Sequence, residues 1–156
     1  MARLLVNGDT PRNRSERQFL MEGWVSLAPF EDLLGLSIRE AADGRAVLSL
    51  PFSVKLAQGG GVLHGGALTT LADTAAAMAV KTRLPESVPF ATRDLNMRFL
   101  APVHEGVVTA TALLKEVDGR RFIVVVDLED ERGVKVATFS ADFRLLRNAG
   151  GDRPLA

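Results

Sequence analysis

Polar and apolar positions alternate strictly around Asp43-Gly44. Leu34, Leu36 and Ile38 interleave with Gly35, Ser37 and Arg39 before the pair, and Ala46, Leu48 and Leu50 alternate after it. Period-two alternation on both sides of an Asp-Gly pair predicts a β-hairpin. Four further strand-like runs follow later, at Phe90–Leu100, Gly106–Val117, Arg121–Glu129 and Val134–Leu146, separated by Pro102, Asp118-Gly119 and Arg132-Gly133. The pattern between hairpin and strands is different. Ser53–Leu63 is rich in glycine, and His64 to about Leu84 is almost continuously apolar until Pro85 stops it. That predicts one long helix. Upstream, the spacing of Phe19, Leu20 and Trp24 predicts a short helix over Ser15–Trp24, and Pro29–Gly35 predicts one more helical turn.

The order is two strands, one long helix, four strands, which is an α+β arrangement. About 20 helical residues span ~30 Å, and strands of ten to thirteen residues span ~33–43 Å. Long antiparallel strands can therefore curl around one helix. The helix reads as apolar on all sides, which marks a buried one, and Ala67, Ala72, Ala75, Ala76, Ala77 and Ala79 permit close approach of a sheet or a second helix. No repeat or linker divides the chain. The expected organisation is a loose polar arm at 1–14, one domain at 15–147 and a frayed tail at 148–156.

Composition narrows the functional classes. With 156 residues the chain fits one domain. Lys and Arg number 19 against 19 Asp and Glu, so a nucleic-acid partner is not expected. There is no cysteine, which excludes disulfides, thiolate metal sites and a Cys nucleophile, and fits a reducing cytoplasm. The first twenty residues lack the apolar core of a secretory signal. Ala67–Val80 falls short of the ~20 residues that span a bilayer, and it contains Asp73. A cytoplasmic protein with no membrane partner is expected.

The candidate chemistry lies at the helix. Gly59-Gly60-Gly61 is followed by no Gly-Lys-Ser/Thr, so a phosphate-binding P-loop is excluded, and His64 stands where a dinucleotide fingerprint needs glycine. His64-Gly65-Gly66 opens the helix. Free amides at a helix start accept an anion or a developing oxyanion, and glycines leave them accessible. Tight packing explains the glycines equally, and His64 fits a helix cap as well as a ligand. Asp73 sits among Leu71, Ala72, Ala75 and Ala76. Burial there raises a carboxyl's pKa and makes the ionised form a better base; a structural ion pair with an arginine is the other reading. Gly65 and Asp73 lie eight residues apart, ~12 Å along one helix. One chain does not easily bring both to a single carbonyl. Two antiparallel copies around a two-fold axis do, and form two equal sites.

Gln58–Ala79, with Leu63-His64-Gly65-Gly66 and Leu71-Ala72-Asp73, resembles the PaaI-like hotdog-fold thioesterases. The similarity extends over about Phe30–Leu146. It implies a six-stranded antiparallel sheet wrapped around the central helix, a homodimer often paired into a homotetramer, and hydrolysis of an acyl-CoA to the free acid and CoA. Gly65 would then supply the oxyanion donor, with Gly66 leaving the helix start open to substrate. His64 would help position the thioester. Asp73 of the partner chain would act as base or nucleophile, and Thr92 would orient the water. PaaI-like members commonly carry Asn at the position of Gln58. A branch with Gln there, the 4-hydroxybenzoyl-CoA thioesterase type, pairs it with Glu at the acid position. This chain combines Gln with Asp, so its acyl group is left open.

Arg120, Arg121 and Arg144 are candidates for the CoA phosphates, since arginine holds phosphate well; turn-flanking arginines are also commonly just solvated. No metal or other cofactor is called for: His64 and His104 are the only histidines, with no carboxylate at familiar ligand spacing. A Ser-His-Asp site lacks its G-x-S-x-G elbow. The alternative function is a non-catalytic acyl-CoA-binding hotdog protein, against which the retention of Asp73 argues. A dehydratase would want a His–acid pair in another motif. Trp24, Phe30 and Phe90 fit either the border of an acyl pocket or the core.

Overall fold

The alternating runs become strands in the computed structural model, which describes residues 1–13 and 15–147; the tail expected at 148–156 lies outside them. The elements in chain order are β1 (Arg3–Leu4), β2 (Phe19–Leu20), α1 (Pro29–Leu34), β3 (Ser37–Ala42), β4 (Arg45–Pro51), α2 (Gly65–Lys81), β5 (Phe90–Phe99), β6 (Val107–Asp118), β7 (Arg121–Glu129) and β8 (Lys135–Leu145). β3 to β8 form one antiparallel sheet in the order β3-β4-β6-β7-β8-β5. Asp43 and Gly44 both take positive φ at the first hairpin, as an Asp-Gly turn requires.

One face of the sheet packs on α2. Leu48 and Leu50 of β4, Val108 and Ala110 of β6, Val124 and Val126 of β7, and Phe139 and Phe143 of β8 are buried there. From the helix come Leu68, Leu71, Ala72, Ala75, Met78 and Ala79. Each large side chain so buried contributes about 1.5–3 kcal/mol, and the alanines on helix and sheet let the backbones approach. Among the described residues no helix is long and apolar enough to cross a membrane.

Three features depart from the sequence reading. Ser15–Trp24 forms no helix: Phe19–Leu20 pairs as a strand with Arg3–Leu4, inside the arm expected to be loose. α2 ends at Lys81, and Thr82 caps it before Pro85 is reached. Nor is α2 buried on all sides. Gly66, Thr69, Thr70, Asp73, Ala77 and Lys81 stay partly or fully exposed, and they recur every three or four residues as one stripe. The edge strand β5 runs beside that stripe and is itself largely exposed.

Candidate active site

The glycine-rich loop is a tight turn that delivers the chain to the helix start. Gln58 N–H donates to the Val62 carbonyl at 2.8 Å and Gly61 N–H to the Gln58 carbonyl at 2.9 Å, with Gly61 at φ 81°. Leu63 N–H then donates to Val103 and His64 N–H to Leu56, each at 2.8 Å. His64 is the N-cap of α2, and its Nδ1 accepts from Gly66 N–H at 2.8 Å. A neutral imidazole in this role carries its proton on Nε2. The cap satisfies Gly66 and leaves the Gly65 N–H without a partner among the described residues. That amide sits at the positive end of a 17-residue helix.

Asp73 lies two turns further on, in the half-buried stripe. The Thr92 hydroxyl, from β5, donates to Asp73 Oδ1 at 2.8 Å. Burial pushes the Asp73 carboxyl above the usual carboxylate range, and the Thr92 bond opposes part of that rise. A β-bulge between Thr92 and Asp94 sets the facing of this strand. Thr92 pairs with Phe143, Leu95 with Ala141 and Phe99 with Ala137. All three partners belong to the buried face, so all three β5 side chains face the helix side. Without the extra residue, Thr92 and Leu95 would point to opposite faces.

Gln58 and Gly65 share a cleft of about 420 Å³. Its walls are Val62, Leu68, Phe99, Leu100 and Pro102 with their neighbours. Gln58 Oε1 accepts from Gly60 N–H, which leaves the side-chain NH2 without a partner among the described residues. The Phe99 ring lies against Gly65, where a Cβ would meet its Cζ at 2.9 Å. Sequence reasoning missed Phe99, because nothing in strand alternation marks which inward residue of an edge strand reaches the helix start.

The arginines lie elsewhere. Arg120 donates through Nη2 and Nε to the Leu145 carbonyl, at 2.7 and 3.3 Å. Arg121 Nε donates to Asp142 Oδ2 at 2.8 Å, and Arg144 Nε stands 3.5 Å from Asp142 Oδ1. Arg144 pairs with Ala91 and alternates with buried Phe143, so Arg121, Asp142 and Arg144 occupy the outer face of the sheet, away from Asp73. Trp24 is held at the far end of α2. Its Nε1 donates to the Lys81 carbonyl at 3.1 Å, Lys81 Nζ lies 5.0 Å from its ring centre, and it meets Phe90 edge-on at 6.3 Å. Phe30 is exposed. Among the described residues no three His, Asp or Glu side chains gather as metal ligands.

The structure thus brings Thr92 to Asp73, gathers His64, Gly65, Gly66 and Gln58 at the helix start, and keeps the two groups apart within one chain. Asp73 can take a proton from a water or attack a carbon; the Gly65 amide can receive an oxyanion.

Comparison with known proteins bears on the chemistry. The family model described as "Thioesterase superfamily" matches residues 60–137. A protein of Halobacterium salinarum named "Putative esterase" is 32% identical over 139 residues, 83% of this chain and 92% of its own length. The 1,4-dihydroxy-2-naphthoyl-CoA hydrolase of Listeria monocytogenes is 36% identical over 83 residues, 53% of this chain and 67% of its own. Among solved structures, a variant of the phenylacetic acid degradation protein PaaI from Thermus thermophilus superposes with a TM-score of 0.71 at 31% identity, covering 76% of this chain and 100% of that one.

Proposed function

The chain belongs to the thioesterase superfamily, with its hotdog fold, and from that premise we propose that it hydrolyses an acyl-CoA thioester to the free acid and CoA in the cytoplasm. The observation that carries the reading is Asp73. A carboxylate of raised basicity, held by Thr92, stands on the one stripe of α2 that its own sheet leaves uncovered.

The stripe and the exposed strand β5 beside it suit a second copy, with Leu95 42% and Phe99 54% exposed along them. In a two-fold pair with antiparallel α2 helices, the Gly65 amide of one chain faces Asp73 of the partner subunit. The thioester carbonyl accepts from Gly65 N–H, and the Gln58 NH2, on the same cleft, donates alongside it. Water, oriented by Thr92, loses its proton to Asp73 while its oxygen attacks the carbonyl carbon. The oxyanion forms at the Gly65 amide. The C–S bond then breaks, and the CoA thiolate takes the proton from Asp73. Direct attack by Asp73, through a mixed anhydride that water opens, uses the same placement. One oxyanion donor contributes on the order of 10²–10³ in rate and a positioned base ~10²–10⁴. His64 acts by capping the helix that presents Gly65. Arg120 is already committed to the Leu145 carbonyl. Arg121 and Arg144 reach CoA phosphates in this scheme only across the outer face of the sheet, from a second pair in a homotetramer. The CoA hydrolase name of the Listeria relative supports a CoA ester as substrate.

The test is thiol release from a panel of aryl and aliphatic acyl-CoAs. The protein adds no thiol of its own, since it has no cysteine. Release that collapses in Asp73→Asn supports hydrolysis. Tight binding of the esters with no release by the wild type would instead show the non-catalytic binding protein.

A further inference from the structure

The cleft beside Gly65 has a chemical bias that bears on the acyl group. Its walls, Val62, Leu68, Phe99, Leu100 and Pro102, are apolar, and among the described residues the one polar side chain on it is the uncharged amide of Gln58. Among the described residues no charged side chain lines it. With the Gly65 amide and the Gln58 NH2 taken up by the thioester carbonyl, a second anionic group further along the cleft would lose water and meet no cationic side chain among the described residues, whereas a hydrocarbon there is driven by burial. The Phe99 ring is the wall shared by the cleft and the amide: it packs on Gly65 and is still 54% exposed. An apolar group attached to a carbonyl held at Gly65 would lie against that ring and complete its burial.

We infer that this cleft receives the acyl group, that it selects uncharged apolar acyl chains over those ending in a carboxylate, and that Phe99 is a specificity-determining residue. The inference rests on the proposed hydrolysis and deepens it. It does not involve the CoA end.

The experiment measures kcat/KM with acetyl-, butyryl-, hexanoyl- and succinyl-CoA for the wild type, Phe99→Ala and Phe99→Leu. Wild-type values rise about fourfold per added methylene until the cleft is filled. Succinyl-CoA, with the chain length of butyryl-CoA plus a charge, falls below it by about a hundredfold or more. Phe99→Ala lowers the hexanoyl-to-acetyl ratio about tenfold, mostly through KM, and Phe99→Leu restores most of it. Phe99 also lies on the strand offered to the second copy, so the thermal midpoint and the dimer fraction are measured for each variant, and the ratio is compared only between variants that remain folded and paired, which separates lost selectivity from lost assembly. Succinyl-CoA turned over as well as butyryl-CoA, or a ratio unchanged in Phe99→Ala, overturns the inference. If the wild type releases no thiol from any ester, the hydrolysis reading fails separately. Calorimetry then decides the cleft: hexanoyl-CoA binding tighter than free CoA and weakened by Phe99→Ala sustains it, and equal affinities overturn it.

Discussion

Replacing Thr92 by Val removes one hydroxyl and keeps the shape of the side chain. The lost contact is the 2.8 Å bond that Thr92 donates to Asp73 Oδ1. Hydrogen bonds to charged groups contribute about 1.5–3 kcal/mol. Asp73 is only half buried, so water replaces part of the loss and the lower figure applies. The bond favours the ionised carboxylate. Losing about 1.5 kcal/mol of that preference changes the ionisation equilibrium roughly tenfold. The acid limb of the pH profile of kcat/KM therefore moves to higher pH. The assay is thiol release from one good acyl-CoA between pH 4 and 8, with wild type and variant measured side by side. A purely structural role for Thr92 would lower the rate uniformly and leave the limb in place. An unmoved limb, or one displaced to lower pH, refutes the reasoning that Thr92 sets the basicity of Asp73.

Other expectations follow from the same geometry. In Asp73→Asn, turnover should fall by ~10²–10⁴. Because burial raises the folded pKa above the ordinary 3.8, the carboxylate's penalty is absent below that value and complete at neutral pH. The variant should therefore be more stable there, by on the order of 0.5–2 kcal/mol, as read by denaturant titration at pH 7 and pH 3.5, with the gain vanishing at the lower pH. His64→Ala removes the cap on Gly66 and should cost about 1 kcal/mol, as other side-chain caps do, read as a fall of ~2–4 °C in Tm. Trp24→Phe deletes the bond to the Lys81 carbonyl and should cost about 0.5–1.5 kcal/mol by the same measurement, with kcat unaffected.

Much of this was legible from residue patterns because it depends on local periodicity. The strands from Phe90 to Leu145 and the Asp43-Gly44 turn follow from alternation and turn chemistry, and the helix from its apolar run. What escaped depends on long-range packing. Phe19–Leu20 is a strand only because Arg3–Leu4 lies beside it, and Trp24 is placed by a carbonyl 57 residues away. The uncovered stripe of α2 was hidden by its alanines, which read as core wherever they fall. Its polar members Thr70, Asp73 and Lys81 do recur at helical spacing, a signal faint enough to be masked by Ala77 and Gly66. The bulge after Thr92 leaves no mark in composition, yet it decides that Thr92 and Phe99 face the helix side together. The arginines near Asp118-Gly119 looked free because their acceptors, Asp142 and the Leu145 carbonyl, lie on another strand.

The central claim is a thioesterase site assembled from two chains, and mixing two inactive variants tests it most directly. Asp73→Asn lacks the base. Gly65→Pro lacks the amide hydrogen at the first helical position, where proline is tolerated, and His64 at ψ 134° already has the backbone that precedes a proline; its added Cβ would meet Phe99 Cζ at 2.9 Å, so the ring must swing aside, and the thermal midpoint and pairing of this variant are checked first. Each variant alone should be inactive. Co-refolded in equal amounts, they should recover roughly a quarter of wild-type thiol release, because half of random pairs are mixed and each mixed pair holds one intact site. No recovery, with mixed pairs shown to form, would contradict a site shared between subunits.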